Sequence, residues 1–322
     1  MFKVCNSLTR ETRRLTGHRA DSVRLQAEFP DQGFSSPQAS GTMRANLIQV
    51  VSNMNVGIFG ANGRMGRVLI EALQENDSSE LTLATVRSDS AWVGMNVGEL
   101  AGIGKLPVSC VGVDAADAAS VEVMIDFTLP AAFEDNLAWC VANQKPMVIG
   151  TTGLSDAQLS ALNEAATQIP IVFAANYSVG VNVMLALVRQ AARALGQTAD
   201  IEITEAHHRF KQDAPSGTAL AIGQSIADEL GRDLKECAVF GREGKEPPRD
   251  HKTIGFATVR GGDIVGEHTA LFADIGERLE VTHKASSRLT FARGAVRAAN
   301  WLKDKAPGLY SMSDVIGLEN MQ

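Results

Sequence analysis

The stretch from Val56 to Leu73 leaves this chain few choices of fold. Val56 to Phe59 is a short apolar run, the turn Gly60-Ala-Asn-Gly-Arg-Met-Gly66 follows at once, and Val68, Leu69, Ala72 and Leu73 then recur at helical spacing. A strand, a glycine turn and a helix in immediate succession make the first β-α unit of a dinucleotide-binding domain. Gly60 suits the tight turn, Gly63 a close approach of backbone to pyrophosphate, and Gly66 close packing of helix on strand. The spacing is G-x-x-G-x-x-G, with Asn62 where the G-x-G-x-x-G pattern has its second glycine. Ala61, Asn62, Arg64 and Met65 join the glycines as candidate cofactor contacts.

The chain after this unit keeps alternating strand, loop and helix, which argues a parallel sheet. Strands are expected at Leu81 to Val86, Val121 to Thr128, Pro146 to Ile149 and Ile169 to Ala174, with a helix started by Pro130. Trp92 to Leu106 is glycine-rich and reads as a loop or flap. The second strand ends Val86-Arg87-Ser88, without the acid that holds the ribose hydroxyls in NAD enzymes. An arginine there favours a 2′-phosphate, hence NADPH over NADH, although a solvated arginine at a strand end is the plainer alternative. Gly150, Thr151 and Thr152 end one strand, and Ala174, Ala175, Asn176 and Tyr177 another, at the sheet edge where nicotinamide and ribose would lie.

A long helix is expected over Asn182 to Leu195, and then comes the stretch richest in chemistry, Ile201 to Leu220. An alternating strand runs into Glu205, His207, His208 and Lys211, and Asp213-Ala-Pro-Ser-Gly-Thr opens a helix. Ser216, Gly217 and Thr218 would bring free N–H groups, two hydroxyls and the positive end of a helix to one point, an anion site. Serine before a helix is by itself only an N-cap. Two imidazoles and an ammonium beside it repel when charged, so their crowding points to a bound anion and a proton transfer. Strands over Thr253 to Arg260, Ile264 to Ala273 and Arg278 to Lys284 follow, with Gly261-Gly-Asp263 as a hairpin turn between the first two. Arg288 to Lys303 returns to helical spacing, and Arg288 itself is a candidate either for the ligand or for a carboxylate of the protein.

The string E-A-H-H-x-x-K-x-D-A-P-S-G-T-A resembles the signature of the dihydrodipicolinate reductases, also called 4-hydroxy-tetrahydrodipicolinate reductases, and the resemblance runs from about Val56 to the C-terminus. It implies NADPH- or NADH-dependent reduction of a cyclic dicarboxylate in the diaminopimelate route to lysine. It also implies His207 and Lys211 in proton transfer, His208, Gly217 and Thr218 in carboxylate binding, and cofactor contacts from the two strand-end loops; Ser216 joins the substrate-binding candidates from the reading of the helix start. In that family the residue at position 86 is commonly acidic, so Val86 is a departure that puts use of both nucleotides in question. The resemblance implies a homotetramer built through the second sheet, and a C-terminal segment that packs back on the first domain. Two crossings between domains would form a hinge for closure over the ligands.

The expected architecture is therefore α/β: a Rossmann-like dinucleotide-binding domain over 54–178, and an α+β substrate and oligomerisation domain over 179–287 with an open mixed, mainly antiparallel sheet. Residues 288–322 form the returning segment. The 322 residues suffice for two such cores, and 45% hydrophobic with 21% charged residues is ordinary for a water-soluble chain. A net charge of −7 with no basic stripe argues against nucleic acid, and no apolar run reaches the roughly 18 to 20 residues that span a bilayer. Cys5, Cys110, Cys140 and Cys237 are far apart and read as reduced thiols of a cytoplasmic protein, with no metal site. Residues 1–53 carry six arginines and little periodicity, and are expected to be a disordered extension or to precede a true start near Met54. Two rivals remain from the residues alone: a dehydrogenase of a semialdehyde or diaminopimelate, and an NADPH-binding sensor. The first commonly uses a cysteine nucleophile, absent from the motif region, and the second has no use for His207, His208 and Lys211 beside an anion site.

Overall fold

Strands β1 (Met54–Phe59) and β2 (Ser79–Val86) flank helix α1 (Arg64–Gln74), giving the strand, turn and helix that the glycines call for. The computed structural model describes residues 53–245 and 247–318, so the expectation about an extension before Met54 lies almost wholly outside the described residues. Between 92 and 106 the expected loop contains a short helix, α2 (Val97–Ala101). Asn96 caps it and also bonds the Leu106 carbonyl at 2.6 Å and the Leu106 N–H at 3.0 Å, so one side chain closes the segment into a fixed turn. Five residues beginning Val-Gly carry too little periodicity to announce a helix.

The first sheet continues through β3 (Val111–Gly112), β4 (Val123–Asp126), β5 (Met147–Ile149) and β6 (Pro170–Phe173), with α3 (Pro130–Ala142) and α4 (Asp156–Ala165) between strands. All its pairings are parallel. Val56, Ile58, Val123, Ile125, Val148 and Val172 pack on one face, while Phe59, Met124, Met147, Ile149 and Ile171 pack on the other with α3 and α4. Burial on both faces is why these strands read as continuous apolar runs rather than alternating ones.

Helix α5 (Val179–Leu195) leads out to β7 (Asp200–His207), α6 (Gly217–Glu229), α7 (Leu234–Cys237), β8 (Ala238–Phe240), β9 (Ile254–Arg260), β10 (Gly266–Ala273) and β11 (Arg278–Ala285). The second sheet has the order β11-β10-β7-β9-β8 and is mixed: β7 pairs antiparallel with β10 and parallel with β9. The antiparallel pairings expected to dominate are β11-β10 and β10-β7, balanced by parallel β7-β9 and β9-β8. The expected hairpin between β9 and β10 does not form, because β7 lies between them. Gly261, Gly262 and Asp263 instead carry the chain past the end of β7, where Gly261 N–H bonds the His207 carbonyl at 2.9 Å. Local spacing suited a hairpin, but the alternating Ile201, Ile203, Phe256, Ala270 and Phe272 bury best under α5 and α6 with β7 central.

Helix α8 (Leu289–Leu302) returns to the first sheet and buries Ala292, Ala295, Val296 and Ala299 in the same core as Leu69 and Leu73 of α1. β12 (Gly308–Tyr310) then adds a seventh parallel strand beside β6, and α9 (Met312–Ile316) follows.

Candidate active site

The strand order β12-β6-β5-β4-β1-β2-β3 reverses direction between β1 and β4, and ligands of such sheets bind outside the carboxyl ends at that point. The glycine turn lies there. Gly60 has φ +67°, a Cβ at Gly63 would come within 3.2 Å of the Gly60 carbonyl, and one at Gly66 would overlap it. The three glycines thus each answer a steric demand, and Gly66 is the one that seats the helix on the turn. Helices α4, α5 and α6 are capped by Ser155, Ser178 and Ser216, but Gly63, in the cap position before α1, has no side chain to offer. Its first N–H groups are left for an anion, as a pyrophosphate requires. These residues fit a dinucleotide.

Within the turn, Gly63 and Arg64 are exposed, Asn62 and Met65 half-buried, and Ala61 fully buried with its N–H on the Thr85 carbonyl at 2.9 Å. Arg87 lies just past the end of β2 in a loose ion pair, its guanidinium 3.7 Å from Asp89 and both side chains largely in solvent, while Val86 is buried. Gly150 packs so closely on Phe127 that a Cβ would overlap the ring. Two expected contacts turn inward. Thr151 directs its hydroxyl to Asp126 at 3.2 Å, and the Tyr177 hydroxyl is shared between the carbonyls of Ile149 and Val172 at 2.8 and 2.9 Å. Those side chains brace the loops, leaving Thr152 and Ala175 exposed and Ala174 and Asn176 half-buried at the crevice.

Period two along β7 puts Ile201, Ile203, Glu205 and His207 on its buried face. Glu205 there accepts from both terminal nitrogens of Arg260 at 2.7 and 2.8 Å, from the Ser216 N–H at 3.0 Å, and meets His207 Nδ1 at 2.6 Å. Burial opposes its charge, yet bonds from Arg260, His207 and Ser216 hold its carboxyl down to about 2. Burial keeps His207 below the usual imidazole range, against the pull of Glu205. Ser216 caps α6 through the Ala219 N–H at 3.1 Å and bonds His268 Nε2 at 2.8 Å. A Cβ at Gly217 would meet nothing within 4 Å, so the helix start faces open space. Lys211, about one-fifth exposed, pairs with Asp213 at 2.9 Å. His208 has its Nδ1 buried with no hydrogen-bond partner among the described residues.

The structure thus ties His207 to Ser216 at the start of α6 through Glu205, and Lys211 to the same clamp through Asp213 and Arg260; Gly217 and Thr218 follow in the helix, and among the described residues no hydrogen bond joins the His208 ring to them. Arg288 is exposed at the head of α8, with no ion-pair partner among the described residues. Sequence reasoning passed over Glu205 as an anchor and missed Arg260, His268 and Phe127. The parity of Glu205 with Ile201 and Ile203 was a legible signal for a buried carboxylate; Arg260 lies too far along the chain to give one. Burial raises the thiols of Cys110, Cys140 and Cys237, so the described cysteines offer no ready nucleophile.

A doubly wound sheet with a glycine turn fit for a dinucleotide at its switch point, carried with a mixed sheet that holds histidines and a lysine near a helix start, defines a class: two-domain oxidoreductases that use a nicotinamide nucleotide. The comparisons carry this further. Residues 54–177 match the family model "Dihydrodipicolinate reductase, N-terminus" and residues 180–316 its C-terminus counterpart. A 4-hydroxy-tetrahydrodipicolinate reductase from Pseudoalteromonas atlantica is 65% identical over 263 residues, covering 82% of this chain and 98% of the relative. One from Alkalilimnicola ehrlichii is 60% identical over 264 residues, with 82% and 98% covered. The structure of a dipicolinate-bound dihydrodipicolinate reductase from Paenisporosarcina sp. TG-14 has the same fold, with TM-score 0.65 and 24% identity over 82% of this chain and 100% of that one. The chain belongs to the dihydrodipicolinate reductase family. It is an oxidoreductase with a dinucleotide-binding domain, and the semialdehyde and sensor readings fall away. Among the described residues no helix is long and apolar enough to cross a membrane.

Proposed function

We propose that this chain reduces 4-hydroxy-tetrahydrodipicolinate, through its dehydrated form, to tetrahydrodipicolinate in the diaminopimelate route to lysine, in the cytoplasm, with NADPH preferred. The carrying observation is the bond from Asn176 Nδ2 to Thr218 Oγ1 at 3.1 Å, which ties the nucleotide-side loop after β6 to the anion cradle at the start of α6. The glycine turn Gly60 to Gly66 and the loops after β5 and β6 would hold a nicotinamide nucleotide, which when bound would supply hydride to the conjugated ring. The chain's own residues do the rest. The N–H groups at Gly217 and Thr218, with His208, bind a substrate carboxylate. Lys211 donates a proton to the enamine that reduction leaves, and its charge stabilises the electron density developing there. His207 exchanges protons beside it.

Arg87 supports the preference for NADPH, since among the described residues its nearest ion-pair partner is Asp89, at 3.7 Å and beyond hydrogen-bond distance, and Val86 offers no carboxylate to ribose hydroxyls. A homotetramer joined through the second sheet accords with the outward face of that sheet, where Ala257, Val259 and Thr282 are exposed. The test is a coupled assay in which dihydrodipicolinate synthase makes the substrate in place and nucleotide oxidation is followed with NADPH and NADH in parallel. Strong turnover with NADPH and weak turnover with NADH is expected. Equal turnover would refute the role given to Arg87 and Val86, and none with either nucleotide would refute the substrate.

A further inference from the structure

The inner face of the second sheet holds a charge arrangement that carboxylate binding alone does not call for. Glu205 uses one oxygen for His207 Nδ1 at 2.6 Å and shares both with Arg260 at 2.7 and 2.8 Å. A carboxylate can only accept, so the proton on this bond belongs to Nδ1 and the lone pair of neutral His207 sits on Nε2. Nε2 makes no hydrogen bond among the described residues. The residue over it is Gly266, where a Cβ would come within 3.1 Å of that atom. We propose that Glu205 is a positioning residue that locks the His207 proton on Nδ1 and presents Nε2 as the proton-exchanging atom, and that Arg260 sets how strongly Glu205 holds a second proton on the ring.

The logic is that of a carboxylate behind a catalytic imidazole, which chooses the tautomer and stabilises the imidazolium when it forms. Left alone, Glu205 would keep His207 charged and unable to accept a proton. Arg260 spends part of the carboxylate's charge, and burial does more, so the ring returns to neutral after each exchange. Other groups face His207 from each packed element. His268 on β10 stacks edge-on at 5.1 Å between ring centroids. On the connecting loop lie Lys211, its partner Asp213, and His208. Arg260 also bonds the Asp213 carbonyl, so the clamp and the lysine loop are held together.

The proposal rests on His207 taking part in proton transfer, and its test separates the two. The first arm is NMR of the full chain with ring-15N histidine and no ligand, with His207 assigned by the His207→Gln variant. Around neutral pH, Nδ1 should be protonated and Nε2 not; Nε2–H as the major tautomer would overturn the lock from the wild type alone. Glu205→Gln should lower the His207 midpoint and mix the tautomers, and Arg260→Gln should raise it, each by roughly half a pH unit or more. Movement in the same direction, or none, would overturn the tuning. The second arm is turnover: Glu205→Gln should lower kcat about 10- to 100-fold with the nucleotide KM unchanged, and the kcat/KM profiles of the two variants should shift oppositely. A bracing role alone would lower activity in both without moving the profiles. If NMR shows the shifts and the profiles do not, the clamp stands and His207 leaves the mechanism. Should Glu205→Gln fail to fold, Glu205→Asp and the wild-type tautomer decide the lock.

Discussion

His268 sits neutral inside the second sheet, pushed down to about 4 by burial first and by the neighbouring His207 next. Its ordinary value is 6.5, so between pH 6.5 and about 4 the unfolded chain binds a proton that the folded one refuses. Stability therefore rises with pH across that window and is lost on acidification, by up to about 3 kcal/mol from this group. Burial lowers His207 and His283 as well, adding losses of the same sign. Glu205 acts lower, contributing stability above about 4.5 that is lost as pH falls toward 2. Thermal unfolding from pH 7.5 to 4.5 should show a steep fall for the wild type and a shallower one for His268→Gln; parallel slopes would contradict the assignment. Lys211→Ala should lower kcat by roughly a hundredfold or more with nucleotide affinity unchanged, read by the coupled assay and by nucleotide titration. At this scale the histidines and Lys211 were legible because they are adjacent in the chain. Arg260 was not, since it lies 55 positions beyond Glu205 and only strand pairing brings the two together.

Gly294 in α8 lies against the loop after β6 so tightly that a Cβ would overlap the Tyr177 carbonyl. Small residues along this helix, Ala292, Ala295 and Ala299 among them, let it sit down on the first sheet. Gly294→Ala should cost about 1–3 kcal/mol by overpacking and lower the thermal midpoint by several degrees, with weaker nucleotide binding because Ala174 to Tyr177 must shift. A variant as stable as the wild type would show that the helix has slack. Element types followed from periodicity, as with α1, α5, α6 and the apolar strands. The failures share one cause: the β9-β10 hairpin and the loop at 92–106 were judged on local spacing, whereas β7 insertion and the Asn96 bonds to Leu106 are contacts made at a distance.

Two chain crossings, entering α5 and entering α8, join the sheets, and the Asn176–Thr218 bond lies beside the first. His283 on β11 meets Ser178 at 3.3 Å at the same place, so the joint carries polar contacts that can re-form after small movements. Closure over ligands is expected to lower the radius of gyration in solution scattering when nucleotide and a dicarboxylate analogue are both present; matching profiles would count against a hinge. Light scattering should return the mass of four chains, and a monomer would refute assembly through the second sheet. The sequence alone determined the class of fold and the strand, loop and capped helix start over 201–220, because glycine turns, apolar periodicity and an N-cap are local interactions between near neighbours. Only the tertiary structure decided that Thr151 and Tyr177 turn inward, that β7 is central, and that Glu205 is clamped between Arg260 and His207. Those depend on which strands pair and what each buries, and burial free energy is summed over the whole core rather than written in any one stretch.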